Sequence, residues 1–436
     1  MAGDYSSVGF DVYKHFSGVL MQQGRVQLDR DWNEQADILR HLLRSLATDL
    51  IGPHGGPGTG FAIGALSDVP RDLTIAPGHY YVDGILCEND GVRDSSKFPL
   101  VPYRYSRQPD HPSPPELEAN GEYLVYLDVW EREVIALQDD DIREAALGGP
   151  DTTARSKVVW QVKALSVKDA TDFDPDRPDH YLRAKLPAST GRLRARARPQ
   201  RTSDDPCIAS PDARYRGPEN QLYRIEIHRA GTPGQATFTW SRDNASVVFA
   251  VSHVADRSVT LESLGRDEQS SLRPGDRVEV LDDDYILQGR PGPLFRVDDV
   301  STVDRLVILD GRPPQADPSR HPLVRRWDHR KPDGVNLVDG ALPLRAGKWL
   351  DLEDGVQVWF EAGGTYRSGD HWLVAARTAT GDLVWPGPPD HPEYRSPLGV
   401  RHHYAPLQRI GLEPNGQVRL GKVYRRTITP AASTTP

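Results

Sequence analysis

The chain has 436 residues, of which 37% are hydrophobic and 26% charged, so it is long enough to bury the cores of about two to four domains. Its 38 glycines and 37 prolines favour many turns over long helices, which predicts a protein built mainly from short strands. The formal net charge is −9 with both signs interspersed, which argues against a nucleic-acid-binding protein.

Cysteine content and the N-terminus bear on where the protein is found. The two cysteines, Cys87 and Cys207, have neither a zinc-site spacing nor the pattern of a disulfide framework. One bridge between them stays open, although reduced thiols are the simpler interpretation. The N-terminus has no basic segment followed by an apolar run, and no stretch approaches the roughly 18 apolar residues of a membrane span. We therefore expect no signal peptide, no membrane span and a cytoplasmic protein, unless it leaves the cell as part of a particle.

The first informative stretch, residues 15–52, changes from a strand-like to a helix-like period. Its first part predicts two short strands joined by a turn at residues 22–24. Its second part predicts a helix that is capped by Asp29 or Asp31, with Glu34 three residues beyond Asp31 as in a capping box, and that ends at Gly52-Pro53. The large apolar residues of this helix share one face, which needs cover from a sheet of its own chain or from a partner. These residues are Trp32, Leu39, Leu43, Leu46 and Leu50.

The same stretch carries a resemblance to a known family. GVLMQQGRVQLDRDWNEQ (18–35) resembles the N-terminal signature of a family of functionally uncharacterised bacterial proteins encoded near phage-tail-like contractile injection systems. Similar blocks follow in order along nearly the whole chain, among them PGHYYVDGILCEN (77–89), GPDTTARSKVVWQVK (149–163) and YRSGDHWLVAARTATGDLVWP (366–386). The resemblance implies a structural, non-catalytic particle component, baseplate-associated or fibre-like, that acts through contacts with other subunits of the particle.

Phage-type assemblies are rings of repeated subunits, so the resemblance also implies a homo-oligomer, with threefold or sixfold symmetry as the first expectation. The interface that we expect combines the apolar helix with a basic cluster further along the chain. Its predicted residues are Trp32, Leu39, Leu43, Leu46, Arg194, Arg196 and Arg198.

From residue 61 onwards the pattern is that of short strands and turns. Asp83-Gly84 is the strongest hairpin signal. Residues 258–310 resemble a small SH3-like barrel, which by itself implies no ligand. Between such modules, residues 171–218 are rich in proline and arginine and predict an irregular loop. Its basic cluster fits either a solvated loop or an electrostatic docking patch for an acidic partner. The cluster consists of Arg192, Arg194, Arg196, Arg198 and Arg201.

These patterns predict a mainly β fold of several small β-sandwich or barrel modules with one N-terminal amphipathic helix. The predicted segments are 1–60 for the hairpin and docking helix, 61–170 for a β module, 171–218 for the irregular loop, 219–312 for a β module that includes the small barrel, 313–427 for a C-terminal β module and 428–436 for a flexible tail.

Histidine and aspartate clusters suggest metal binding, but each has a plainer interpretation. His402 and His403, with His371 and His391, offer metal ligands, yet adjacent strand positions point to opposite faces. The acidic runs at 139–141 and 282–284 lack the spacing of a calcium loop and fit exposed turns. We therefore predict no bound metal and no cofactor.

Paired carboxylates and two tryptophans leave a glycan-related function open. Pairs such as Glu353 with Asp354, or Glu131 with Glu133, can cleave a glycosidic bond only across a cleft, about 5 to 10 Å apart. Most tryptophans lie in strand-like runs and should fill cores, whereas Trp327 and Trp385 adjoin loops and could stack on a sugar. No catalytic motif is found. The alternatives are a glycan-binding or glycan-cleaving cell-surface-targeting protein and a free-standing binding module.

Overall fold

The computed structural model describes residues 3–92, 101–149, 151–198, 214–265 and 267–429. The chain divides into two compact units. We call one the helix unit and the other the barrel unit. The helix unit comprises Gly9–Arg132, Ser156–Ala188 and Arg401–Pro436, and the barrel unit comprises Met1–Val8, Glu133–Arg155 and Ser189–Val400. The chain leaves the helix unit twice and returns, so neither unit is one continuous segment of sequence.

Helices are few among the described residues, and most of the regular structure is strand. The helices are α1 (Asp29–Ile51), α2 (Pro178–Lys185) and α3 (Asp283–Leu287). Short 3-10 turns occur at Val12–Lys14, Asp140–Ile142, Ala145–Leu147, Asp243–Ala245 and Pro318–Arg320.

The strands alternate with turns along both units. The first eight are β1 (His54–Gly55), β2 (Ile63–Ala65), β3 (Leu73–Ile75), β4 (Gly78–Val82), β5 (Ile85–Asn89), β6 (Tyr103–Arg104), β7 (Glu122–Val134) and β8 (Arg155–Ser166). The next are β9 (Leu193–Ala197), β10 (Gln221–Arg229), β11 (Thr237–Ser241), β12 (Val248–Ala255), β13 (Ser258–Leu261), β14 (Arg277–Leu281), β15 (Leu294–Ser301) and β16 (Leu306–Leu309). The last are β17 (Leu323–Trp327), β18 (Leu342–Pro343), β19 (Leu350–Asp351), β20 (Val356–Phe360), β21 (His371–Arg377), β22 (Asp382–Val384), β23 (His403–Leu412) and β24 (Val418–Val423).

The helix unit is built from three small sheets that share one core. Their strand orders are β1-β4-β5, β2-β3-β6 and β24-β23-β7-β8. Phe61 and Trp160 meet edge to face in this core, with ring centroids 5.0 Å apart. On the other face of the four-stranded sheet, Tyr181 and Leu182 of α2 pack against Leu124. The unit therefore buries apolar side chains on both sides of β7.

The barrel unit contains a closed six-stranded barrel and a two-sheet sandwich. The barrel order is β12-β13-β16-β15-β14-β17, and its interior is filled mainly by valines and leucines. The sandwich packs β18-β11-β10-β21-β22 against β19-β20-β9, with Phe238, Phe360 and Trp372 in its core. The small barrel around 258–310 thus starts earlier and ends later than the sequence suggested, because β12 and β17 are needed to close its edges. The mainly β fold with several small modules is confirmed.

The predicted amphipathic helix is confirmed as α1. It begins at Asp29, with Leu28 at the N-cap, and the Asp31 carboxylate accepts a hydrogen bond from the Leu28 N–H at 3.4 Å. The sequence placed this capping pair one turn later, with Glu34. Gly52 ends the helix with φ 87°, where a residue with a Cβ is disfavoured.

Two local expectations differ from the structure. Residues 16–28 have the turn, with the Arg25 N–H bonded to the Gln22 carbonyl at 3.3 Å, but they contain no strand. Their backbone is exposed and has no third strand to pair with, and an isolated hairpin is only marginally stable. Within 171–218, where we expected an irregular loop, the chain forms α2 and β9. The residues from 199 to 213, which include Arg201 and Cys207, lie outside the described ranges, whereas Cys87 is buried.

The turn at Asp83-Gly84 fixes how α1 lies on the helix unit. The backbone N–H of Asp83 bonds the Pro53 carbonyl at 2.7 Å, just after the helix ends. Gly84 has φ 77°, and a Cβ at this position would overlap the carbonyl oxygen of Arg44 and lie 2.8 Å from the Thr48 hydroxyl oxygen. The helix can therefore approach the β4–β5 turn this closely only because residue 84 has no side chain.

We predict that Gly84→Ala destabilises the helix unit more than Gly58→Ala does. Gly58 also has a positive φ, 53°, but a Cβ there meets nothing within 4 Å, so it should lose only about 1 kcal/mol. At Gly84 the overlap with the backbone of α1 should add about 2 kcal/mol. Denaturant unfolding of the two variants and the parent protein measures the difference. Equal losses in the two variants would show that the turn does not constrain the helix.

Candidate assembly surface

Only two residues of helix α1 are buried, whereas most of its large apolar residues are exposed. Ile38 and Glu34 face the unit and are buried. The predicted face points the other way: Trp32 is 69% exposed and Leu50 77%, and Leu39, Leu43 and Leu46 are each half exposed or more. Of the two alternatives that the sequence left open, cover by a sheet of the same chain therefore does not occur among the described residues.

The exposed residues follow a regular repeat. With Ala36, which is also exposed, they succeed one another at alternating intervals of four and three residues. An average of 3.5 residues keeps apolar side chains in line along one edge of a helix, as in a coiled-coil seam. We call this set the apolar face: Trp32, Ala36, Leu39, Leu43, Leu46 and Leu50.

The segment before the helix enlarges the apolar surface. The Val19 N–H donates to the Gln35 side-chain oxygen at 2.7 Å, and the Phe10 ring lies 5.7 Å from the His41 ring, so residues 10–19 run along α1. The following residues then turn away and leave their side chains in solvent, with Leu20 89% exposed. The large exposed apolar residues of this segment are Phe16, Leu20, Met21, Val26 and Leu28.

Such a surface is costly for an isolated chain. Contiguous apolar patches beyond a few hundred Å² are rare on monomeric proteins and mark interaction sites. Covering a large apolar side chain contributes roughly 1.5–3 kcal/mol when the side chain is fully buried. Several half-exposed leucines and a tryptophan together are therefore enough to offset a substantial part of the free-energy cost of association.

Two arginines of the predicted basic cluster, Arg194 and Arg196, lie on strand β9, and Arg192 and Arg198 flank it, while Arg201 lies outside the described residues. Leu193, Ala195 and Ala197 are buried, so Arg194 and Arg196 project from the opposite face of the sheet. The alternation in LRARA is a strand pattern that the surrounding prolines and charges hid. Neighbouring β20 pairs with β9 in antiparallel register.

Aromatic rings hold these guanidinium groups in place. The guanidinium carbon of Arg194 lies 4.5 Å from the Trp359 ring centroid and 4.8 Å from that of Tyr394. Arg196 lies 4.0 Å from the Trp349 centroid. Stacking of this kind fixes the plane of a guanidinium, whose N–H edge can then bind an anion. In Arg196 the Nε of this edge donates to Gln357 Oε1 at 2.9 Å.

The arginines along this strand are only partly compensated by carboxylates among the described residues, where Asp390 and Asp351 act on Arg196. Arg192 pairs with Glu361 at 2.6 Å, but Arg194, Arg196 and Arg198 have no carboxylate within 4.0 Å among the residues that the structure describes. Burial, followed by the charges of Arg198 and Arg194, lowers the pKa of Arg196. We call Arg194, Arg196 and Arg198 the arginine strip. Like charges held together favour an anionic partner.

The histidines considered as metal ligands do not form a metal-binding group among the described residues. His402 Nδ1 lies 2.7 Å from Asp128 Oδ1, and His403 Nδ1 lies 2.7 Å from Asp83 Oδ2, both in the helix unit. His371 is buried in the barrel unit. No group of three or more histidine, cysteine, aspartate or glutamate residues suited to a metal occurs within the described part of the chain.

The acidic runs also have local partners. The Asp282 carboxylate accepts the Tyr285 N–H at 3.1 Å and caps α3, and the Asp139 carboxylate accepts the Asp141 N–H at 3.2 Å. Glu131 binds Arg44 at 2.8 Å. Glu133 accepts the Tyr5 hydroxyl at 2.5 Å. These carboxylates therefore cap helices and turns, form ion pairs or accept a side-chain hydrogen bond.

The two tryptophans proposed as a sugar platform occupy other roles. Trp327 is only 1% exposed, and its indole N–H donates to Glu279 at 2.9 Å, so its ring cannot stack on a ligand. Of the two interpretations of Trp327, core packing and stacking on a sugar, its burial agrees with core packing, because Trp327 ends β17, the strand that closes the barrel. Trp385 is half-buried against the sandwich core, and its indole N–H donates to the Glu393 carbonyl at 2.9 Å.

A polar cleft of about 250 Å³ in the barrel unit was not anticipated. Its walls come from segments between residues 215 and 354. Glu353 is held there by Arg242, whose Nε lies 2.6 Å away, and by the Tyr223 hydroxyl at 3.0 Å. This carboxylate is therefore fixed in an ion pair. No sequence pattern links groups so far apart along the chain.

Asp243 in this cleft has no ion pair among the described residues. It is half-buried and adopts φ 48° at the start of a turn. Burial raises the pKa of Asp243 to about 6, and the nearby charges of Asp4, Asp328 and Glu219 act in the same direction. The ionised carboxylate is thus disfavoured in the folded protein relative to the unfolded chain.

We predict that Asp243→Asn stabilises the protein at pH 7. Because the folded pKa of Asp243 is raised above its ordinary value of 3.8, the stability linked to this group is lost as pH rises through about 6. Asparagine tolerates a positive φ, so the substitution should raise the free energy of unfolding by about 2 kcal/mol at pH 7. Below about pH 4 the gain should disappear. Thermal unfolding at the two pH values tests this, and an equal effect at both would refute the electrostatic explanation.

No helix in the described ranges has the length and apolar character needed to cross a membrane. No curated protein matches the sequence. A family model does match over most of the chain, in two stretches that cover residues 1–175 and 174–412. The protein therefore belongs to the family described as "Family of unknown function (DUF6519)".

Proposed function

We propose that the protein is a structural, non-catalytic subunit of a phage-tail-like contractile injection particle and that the apolar face of α1 is one of its contacts with a neighbouring subunit. One observation carries the proposal: the apolar face lies in solvent on a helix that is firmly attached on its other side. A contractile injection particle is proposed because residues 18–35, and later blocks in the same order, resemble proteins encoded near such systems.

The apolar face lies on a helix that is already formed and held in position by contacts within the helix unit. Ile38 is buried beneath it, and the Gly84 turn fixes the helix from the side. Arg44, near the middle of the helix, is tied to Glu131 at 2.8 Å. A partner would meet a helix that is already formed, so little conformational entropy would be lost on binding. This favours a permanent contact in an assembly.

The arginine strip supports a second contact, with an acidic surface. Its guanidinium groups are stacked on tryptophan and tyrosine rings and carry no carboxylate partners among the described residues. Such a strip would contribute orientation and association rate more than affinity, because solvent and salt screen exposed charges. The apolar face would supply most of the binding free energy.

Co-sedimentation with intact particles from the native host tests the first contact. We predict that the wild-type protein pellets with sheath and tube proteins and that Leu43→Glu shifts most of it to the supernatant, because a carboxylate would be buried in the interface. Leu43 is more than half exposed, so the variant should fold normally by circular dichroism.

Val303→Glu is the matched control. Val303 is 90% exposed but lies in a barrel turn far along the chain, so this variant should pellet as the wild type does. The proposal fails if wild-type protein stays in the supernatant, or if the two glutamate variants behave alike.

The arginine strip is tested by Arg198→Glu in the same assay. Arg198 is exposed at the end of β9 and its side chain holds no ion pair among the described residues, so charge reversal should leave the fold intact. We expect several-fold less protein in the pellet at low salt, with the deficit shrinking as salt rises to about 0.5 M. Arg312→Glu, at an exposed arginine of the barrel unit that pairs with Asp256 at 2.7 Å, is the control for charge reversal elsewhere on the same unit. A salt-independent or absent effect would remove the strip from the interface.

A further inference from the structure

The repeat on α1 narrows the kind of surface that can cover it. A helix that packs on a sheet or in a broad core usually presents a wide apolar stripe, whereas a strict alternation of four and three residues makes a narrow seam. The apolar face keeps this alternation from Trp32 to Leu50, nearly three heptads, with no interruption. Its best complement is another helix with the same repeat.

The arginines beside the seam are paired within the chain. Arg40 pairs with Asp37 at 3.2 Å and Arg44 with Glu131 at 2.8 Å. Arg30 lies 4.0 Å from Glu34. Asp49, which is exposed near the C-terminal end of the seam, has no ion pair among the described residues. A second copy of the same helix would therefore bring no unpaired arginine into the contact.

The flanking residues favour parallel over antiparallel pairing of two such helices. In a parallel pair, Gln35 of one copy faces Arg40 of the other, and Leu42 faces Ala47, so no like charges meet. In an antiparallel pair centred on the same seam, Arg40 would face its own counterpart. Leu42 is nearly half exposed and would extend the apolar contact of the parallel arrangement.

The exposed apolar side chains of α1 and of the segment before it are the surface that a contact between copies would bury. A standard interface buries about 800 Å² per partner. The apolar face alone offers several half-exposed large side chains, and the segment from Phe16 to Leu28 adds exposed apolar residues beside the first turns of the helix. A rotation axis along the seam relates parallel helices and can join two, three or more copies in a closed ring, whereas an antiparallel pair closes as a dimer.

We infer that copies of this chain associate through the apolar face of α1 in a parallel coiled coil about a rotation axis. The inference rests on the proposed role of this face as a contact surface, and it names the partner as a second copy of the same chain. Copies joined in this way leave the arginine strip available for a different neighbour.

Light scattering coupled to size exclusion, on the purified full-length protein without particles, tests self-association. The monomer mass is 48.5 kDa. At micromolar concentration the wild type should therefore have a measured mass of two or more times this value. Leu43→Glu should elute at 48.5 kDa, and Val303→Glu should keep the wild-type mass. A wild-type monomer at tens of micromolar, or an oligomer that survives Leu43→Glu, overturns the inference.

Cross-linking distinguishes parallel from antiparallel pairing. Ala36 faces its own counterpart in a parallel seam but faces Leu46 in the antiparallel one. In a Cys207→Ser background, where the remaining Cys87 is buried, mild oxidation of Ala36→Cys should therefore give a disulfide-linked species on non-reducing gels that the background protein alone does not give. The parallel arrangement is wrong if Ala36→Cys alone forms no cross-link while the double variant with Ala36→Cys and Leu46→Cys forms one.

The outcomes separate this inference from the particle proposal. A monomer in solution that still pellets with particles, and loses that ability in Leu43→Glu, would overturn self-association and leave the proposed function standing. An oligomer that dissociates in Leu43→Glu but never pellets with particles would support self-association and contradict the proposed function.

Discussion

The feature on which this structure depends is the attachment of α1 by one narrow side. Ile38 is buried and the β4–β5 turn reaches the helix backbone through Gly84, a position with no room for a side chain. These contacts orient the helix so that its heptad seam points outward. The close approach at Gly84 is one of the contacts that hold the helix in this orientation, with its apolar face in solvent.

The protein also shows two opposite ways of treating buried or crowded charge. In the barrel unit's cleft, Arg242 and Glu353 neutralise each other, and the carboxylate of Asp243 is left in an unfavourable setting that raises its pKa to about 6. On β9, arginines are held side by side on aromatic rings with no acidic partner among the described residues. Glu353 in the cleft is thus paired, whereas the arginines of the strip form no ion pair among the described residues. This contrast supports the proposal that the protein interacts through its surfaces.

The sequence predicted the structure best where the spacing of apolar residues was regular over many positions. The spacing of Trp32, Leu39 and Leu43 predicted the helix and its face, because seven residues bring a side chain back to the same edge. It could not show whether the face was covered, since exposure depends on where distant strands lie. The short alternation in LRARA was obscured by the surrounding prolines and arginines. Trp327 looked like a loop residue because barrel closure by β17 depends on partners far along the chain, and the polar cleft draws on segments too scattered to form a motif.

The central claim is that the apolar face of α1 is covered in the working assembly. Cryo-electron microscopy of intact particles from the native host measures this most directly. The account predicts density for this chain on the particle, with the seam from Trp32 to Leu50 packed against a neighbouring subunit. Density in which α1 presents that seam to solvent, or particles that lack the chain altogether, would contradict it.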